Sequence, residues 1–193
     1  MLSADPELVS AVFVTTCLAS AAGIIGAMLT SWTFQHKPDL SMVLNGSLAG
    51  LVGITAGADV VSVNSAMLIG LIAGVIVVGA VLLIDRRRLD DPVGAVSVHL
   101  VCGIWGTLAV GIFSADHSVM TQVIGILAYG AISFPAAYAI FMALKATIGL
   151  RVSKDEEAMG LDLSEHGMEG YGGFQMVSPG LGSKPIHQSA ESS

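Results

Sequence analysis

The residues in this chain best placed to do chemistry lie in one stretch, Asp90 to Gly106, reading DDPVGAVSVHLVCGIWG. It opens with two carboxylates and a proline, then runs apolar and small around a single histidine, His99. An apolar medium favours the neutral imidazole. That form offers one hydrogen-bond donor and one acceptor, so the ring can pass a proton across itself, which suits a small polar solute stripped of its hydration. On an α-helical count Ala95 lies one turn before His99 on the same face and Gly103 one turn after. Such small neighbours leave space beside the ring. The competing reading is a histidine hydrogen-bonded between helices as glue, but an ionisable group inside a membrane is a functional candidate by default.

Other polar residues read differently. Asp90 and Asp91 stand before Pro92, where carboxylates complement a helix N-terminus; pairing with Arg86 to Arg88 ranks behind that. Asn45 reads as an interhelical hydrogen-bonding residue. Thr55 either bonds its own backbone or lines a vestibule, and the sequence leaves both open. Cys17 and Cys102 sit in apolar runs without zinc-like spacing and read as small packing residues. His36, His117, His166 and His187 are scattered through loops and tail, so no metal site is expected. HExxH, GxSxG, P-loop and strand-borne GxGxxG signatures are missing from the sequence, so neither an enzyme nor a cofactor is expected, and no nucleic-acid partner.

The elements that position these residues follow from composition. Of 193 residues, 53% are hydrophobic and 12% charged, against about 25% charged in soluble domains. The pattern predicts an all-α polytopic membrane protein with five transmembrane helices over about 8–34, 40–57, 62–84, 92–113 and 119–148. Pro92 suits a helix first turn, and His99, eight residues after Asp91, would lie roughly 12 Å deep. Pro135 should kink the fifth helix without ending it. Residues 1–150 form the membrane domain and 151–193 a tail, disordered toward its end. Residues 152–158 suit a short amphiphilic helix.

All eight Lys and Arg fall after the first, third and fifth spans or in the last turns of the fifth. The positive-inside rule then puts the N-terminus outside and the tail in the cytoplasm. Gly46 and Gly50, and Gly70 and Gly74, are spaced as small-xxx-small pairs, and Gly53, Gly57, Gly103 and Gly106 add to them; together they predict tightly packed helices.

Asn45 to Ser62, Gly70 to Val78, Asp90 to Phe113 and the tail from Gly149 to Phe174 resemble, in order, the ammonium transporter family. The family has eleven helices, ten of them in two inverted repeats, and forms a trimer in the plasma membrane with a pore in each protomer. The resemblance covers helices seven to eleven and implies transport of ammonium or ammonia. It makes His99 the second of two pore histidines, sets Ala95 on the pore face and turns Thr55 toward the outer vestibule. Asp90 and Asp91 match an acidic pair at the cytoplasmic face. Gly149, Arg151, Gly160, Asp162, His166, Gly167 and Tyr171 match the tail segment that couples protomers and meets PII-type signalling proteins. Leu100 departs from the glycine usual after the histidine, and Ala58 stands where cysteine is frequent. Without the helix of the first histidine, the chain by itself is not expected to transport. The alternative expectation is a non-transporting membrane module that regulates assembly or binds a PII-type protein through its tail.

Overall fold

The structure, a computed structural model, describes residues 5–168 and 170. These residues are helical, joined by short turns. The order is α1 (Pro6–Gln35), α2 (Leu40–Thr55), α3 (Val63–Arg86), a π-helical turn (Ala95–Val101) continuous with α4 (Cys102–Phe113), α5 (Val119–Thr147), α6 (Lys154–Met159) and α7 (Leu161–His166). Among the described residues four helical stretches are long and apolar enough to cross a membrane: Pro6–Gln35, Val63–Arg86, Ala95–Phe113 and Val119–Thr147. Leu40–Thr55 is a shorter apolar helix. At 16 residues it spans about 24 Å, somewhat less than a ~30 Å hydrocarbon core.

Helix starts follow local chemistry. Asp5 caps α1 by accepting from the Glu7 N–H, with Pro6 in the first turn. Asp39 accepts from Met42 N at 3.1 Å to cap α2, and Ser62 accepts from Ser65 N at 3.2 Å to cap α3. Each side-chain oxygen takes up a backbone donor that a helix end would otherwise leave unpaired.

The chain divides into two compact units, Met1–Ala136 and Ala137–Ser193. In the first, α1, α2, α3 and α4 pack through backbone rather than through large side chains. A methyl group added at Gly70 would meet the Ala19 carbonyl, at Gly74 the Gly23 carbonyl, at Gly50 the Ala19 carbonyl, and at Gly106 the Gly53 carbonyl. All four positions belong to the predicted small-residue set. The buried core is correspondingly slight: Ala19, Ala27, Ala49, Ala66, Ala73 and Ala109, with Ile54, Ile69, Val77, Val78 and Val98 the largest fully buried aliphatics. Small residues bring helices close enough for dispersion to act over the whole contact.

Short hydroxyl bonds stitch the seam. Thr15 Oγ1 donates to Ala58 O at 2.8 Å, and the Ser20 and Ser47 hydroxyls are paired at 2.8 Å. Asn45, expected to make such a bond, forms none among the described residues; the serine two residues later does so instead, because it faces α1. Cys17, expected as a packing residue, is exposed, whereas Cys102 is buried.

The fourth membrane helix starts later than its sequence suggests. Pro92 and Val93 form a turn, Gly94 takes a left-handed conformation (φ 71°), and helix begins at Ala95. The break is possible because a glycine can adopt positive φ without steric cost. His99 is therefore only four residues beyond the helix start, so a depth counted from Asp91 at helical rise does not apply. Helix α5 runs through Pro135 without interruption and has no buried residue. In the second unit α6 starts on a reciprocal capping box between Ser153 and Glu156, and α7 ends at Gly167 (φ 61°).

The seam makes a direct prediction. Gly70→Val should destabilise the helical unit by about 1–3 kcal/mol through overpacking. Gly79→Ala, where an added methyl meets nothing within 4 Å, should leave stability unchanged or raise it by up to about 1 kcal/mol. Reversible denaturation in mixed micelles measures both.

Candidate functional site

The π-helical turn is organised by Asp91. Its carboxylate accepts from Val96 N at 3.0 Å, from Ser97 N at 2.9 Å and from the Ser97 hydroxyl at 2.8 Å. Reaching five and six residues ahead, it satisfies first-turn donors that Pro92 and the Gly94 break leave behind. Within the turn His99 N donates to Gly94 O at 3.1 Å, an i−5 bond, and Val98 N to the same oxygen at 2.9 Å. π-Helical turns are rare and occur frequently at functional sites. Partial burial works to raise the Asp91 pKa, but the hydrogen bonds from Ser97, Val96 and Ala95 outweigh it and hold the carboxyl below its ordinary value. Capping, the first of the roles read for Asp91, is the one it fills here. Asp90 is exposed.

Two contacts set the rotation of the following helix. Trp105 Nε1 donates to Ile69 O at 3.0 Å, and Cys102 Sγ lies 3.7 Å from Ala73 O. Three residues apart on α4 and four apart on α3, they hold one face of α4 against α3, while Gly106 meets the Gly53 backbone of α2. The remaining stripe, His99, Gly103 and Thr107, faces a cleft of about 360 Å³ shared with Val52 and Thr55 of α2 and with Ala56 at its C-terminal end. His99 and Thr55 are exposed. The His99 ring makes no hydrogen bond to another described residue.

Of the residues singled out from the sequence, His99, Thr55 and Gly103 come together in this cleft. Ala95 is exposed and is not among the residues lining it. It stands at the start of the π-turn, where the four-residue spacing of an α-helix no longer returns to the same face. Thr55 does bond its own backbone, donating to Leu51 O at 2.6 Å, and it lines the cleft as well. Thr107, which the sequence reading did not single out, lies on the same stripe at four-residue spacings from His99 and Gly103 and would have emerged from that count. A second cleft of about 420 Å³ lies among Leu8, Val12, Phe13, Thr16, Thr55 and Asp59, so Thr55 borders both.

The tail residues belong to the second unit. Gly149 (φ 84°), Gly160 (φ 101°) and Gly167 (φ 61°) have positive φ, a conformation that a side chain would strain. Asp162 accepts from Gly170 N at 2.8 Å, and this bond leads the causes that lower its pKa, against slight desolvation. Arg151 and His166 are exposed; Tyr171 lies outside the described residues. Among those residues no three His, Cys, Asp or Glu gather as a metal site.

Against this geometry, the profile described as Ammonium Transporter Family matches residues 1–171, and the chain belongs to that family. It is similar to the ammonium transporter Amt2 of Archaeoglobus fulgidus, at 39% identity over 90% of this chain and 41% of that protein. It is also similar to Amt2 of Methanocaldococcus jannaschii, at 39% identity over 81% of this chain and 38% of that protein. The crystal structure of Candida albicans Mep2 superposes with a TM-score of 0.71 at 28% identity, over 79% of this chain and 38% of that one. The chain thus spans about two fifths of the length of the curated relatives it matches. It has the all-helical architecture of part of a transporter fold and is a multi-pass membrane protein.

The Asp91 cap has a testable pH signature. A carboxylate whose pKa is lowered on folding contributes stability that is present above its unfolded pKa and lost as pH falls through its folded one. The Val96 and Ser97 amide signals should hold steady from neutrality down past the ordinary aspartate value of 3.8 and shift only below it. Asp91→Ala should cost about 0.5–2 kcal/mol and speed hydrogen exchange at both amides.

Proposed function

We propose that this chain forms part of a transmembrane path for ammonium or ammonia, with the cleft between α2 and α4 as one wall of that path. The observation that carries the reading is an imidazole without a hydrogen-bond partner among the described residues, set in an apolar-walled cleft beside Thr55. A neutral ring there can accept from an N–H donor on one side and donate on the other, replacing hydration lost by a solute crossing the apolar layer. Ala95 would border the path at the cytoplasmic side of His99 once further helices cover the π-turn. The role is transport rather than catalysis of a covalent change.

The cleft is open, with both His99 and Thr55 exposed, so conduction requires further helices to supply the facing wall. The chain alone is therefore a non-conducting part of the path. Family membership favours a homotrimer in the plasma membrane. The one-sided distribution of Lys and Arg favours an outside N-terminus and a cytoplasmic tail. The tail, with its capped α6 and its glycine-broken turns, suits a segment that couples protomers and meets a PII-type protein, with Gly149, Arg151, Gly160, Asp162, His166, Gly167 and Tyr171 as its contact residues; Asp90, in the charged loop after α3, suits a cytoplasmic-face residue of the first unit.

Uptake of labelled methylammonium by transporter-deficient cells tests this. The chain alone should give no uptake above the empty vector, and co-expression with the remaining helices of a family member should restore it. In the restored assembly His99→Ala should lower uptake on the order of tenfold, the equivalent of about one hydrogen bond lost in transit. Unchanged uptake in that variant would remove His99 from the path.

A further inference from the structure

We propose that Thr107 is a binding residue of the α2–α4 cleft, and that it and Thr55 act as paired hydrogen-bond acceptors for a small N–H donor. The inference deepens the transport reading and rests on it. Thr107 of α4 lies on the same stripe as His99 of the preceding π-turn, about two helical turns further along, and both line the cleft with Thr55.

The chemistry follows from where the hydroxyl protons go. Thr107 Oγ1 donates to Gly103 O at 2.9 Å, and Thr55 Oγ1 donates to Leu51 O at 2.6 Å. A threonine hydroxyl has one proton and two acceptor lone pairs. With each proton held by the helix's own backbone, both residues keep only acceptor capacity. The other lining residues, Val52, Ala56 and Gly103, contribute no polar side chain, and His99 supplies the single side-chain N–H. Such a lining has more acceptors than donors. It favours ammonium or ammonia, which bring N–H groups, over anions, which need donors.

The same count separates ammonium from an alkali cation. Potassium has a similar size and charge but no N–H, so it gains nothing directional from two isolated hydroxyl oxygens. Bare-cation coordination takes six or more oxygens for ions of the calcium type, and the side chains lining this cleft offer two.

The test uses the full chain in lipid nanodiscs, with threonine methyls carbon-13 labelled and histidine rings nitrogen-15 labelled. Ammonium chloride is titrated against potassium chloride at matched ionic strength. Saturable shifts at Thr107, Thr55 and His99 with ammonium, and none with potassium, are expected. Thr107→Val, which keeps the shape and removes the oxygen, should raise the apparent Kd read at Thr55 and His99 by about 2- to 10-fold, the worth of one hydrogen bond. Thr107→Ser should restore it. If Thr55 and His99 respond while Thr107 does not, and the valine variant binds as tightly as the parent, the role of Thr107 is overturned and the cleft reading stands. If none of the three responds, or potassium moves them equally, the cleft of this chain is not an ammonium site and the role of Thr107 falls, while the path reading is decided separately by His99→Ala uptake in the restored assembly. Should the valine variant fail to fold, the parent titration and Thr107→Ser still decide the matter.

Discussion

Close approach of helix backbones is the constraint on which the rest of this structure depends. A hydrocarbon surrounding gives apolar side chains no reason to prefer one another over lipid, so helices associate through packing and through polar bonds. Here α1 presents its Ala19 and Gly23 carbonyls to Gly70, Gly74 and Gly50, and α2 presents the Gly53 carbonyl to Gly106. These contacts admit no Cβ. They set the distances between α1, α2, α3 and α4, and hence the width of the gap in which His99 stands.

Rotation of α4 within that gap is decided by directional contacts. The Trp105 indole on the Ile69 carbonyl and the Cys102 thiol near the Ala73 carbonyl lie on one face, and the stripe of His99, Gly103 and Thr107 is thereby left toward α2. Upstream, the Asp91 carboxylate fixes the start of the π-turn through three hydrogen bonds. Among the described residues no buried side-chain nitrogen or oxygen lacks a partner, as a low-dielectric setting demands. The His99 ring, without a partner among those residues, stands in the open cleft, where a solute can reach it.

The two units differ in kind. The first is held by glycine and alanine in long apolar helices. The second ends in short exposed helices stabilised by local bonds: the Ser153–Glu156 box and the Asp162 carboxylate on Gly170 N. Such local devices shape a segment without a core. The part of α5 in the first unit buries none of its residues, so its apolar surface is left to lipid or to further helices.

Much of this was legible in the residues themselves. Long apolar runs and sparse charge determine an all-helical membrane protein, because a chain in hydrocarbon must satisfy its backbone internally. The small-residue spacing marks the seam, and a lone histidine in an apolar run marks the candidate site. What the sequence could not decide was rotation and register. Whether Thr55 bonds its own backbone or faces a cavity depends on α4 lying beside it, and it does both. Whether Ala95 shares a face with His99 depends on a π-turn that no residue pattern announces, since it arises from a left-handed glycine and a carboxylate acting five and six residues ahead. Asn45 and Ser47 are both polar residues in one helix, and only the position of α1 selects the serine. Thr107 carried a visible spacing but no meaning until the Trp105 and Cys102 contacts had turned its stripe toward α2. Local chemistry is written in residue types and periodicity; which groups meet is decided by helix rotation, which short-range packing between distant segments alone determines.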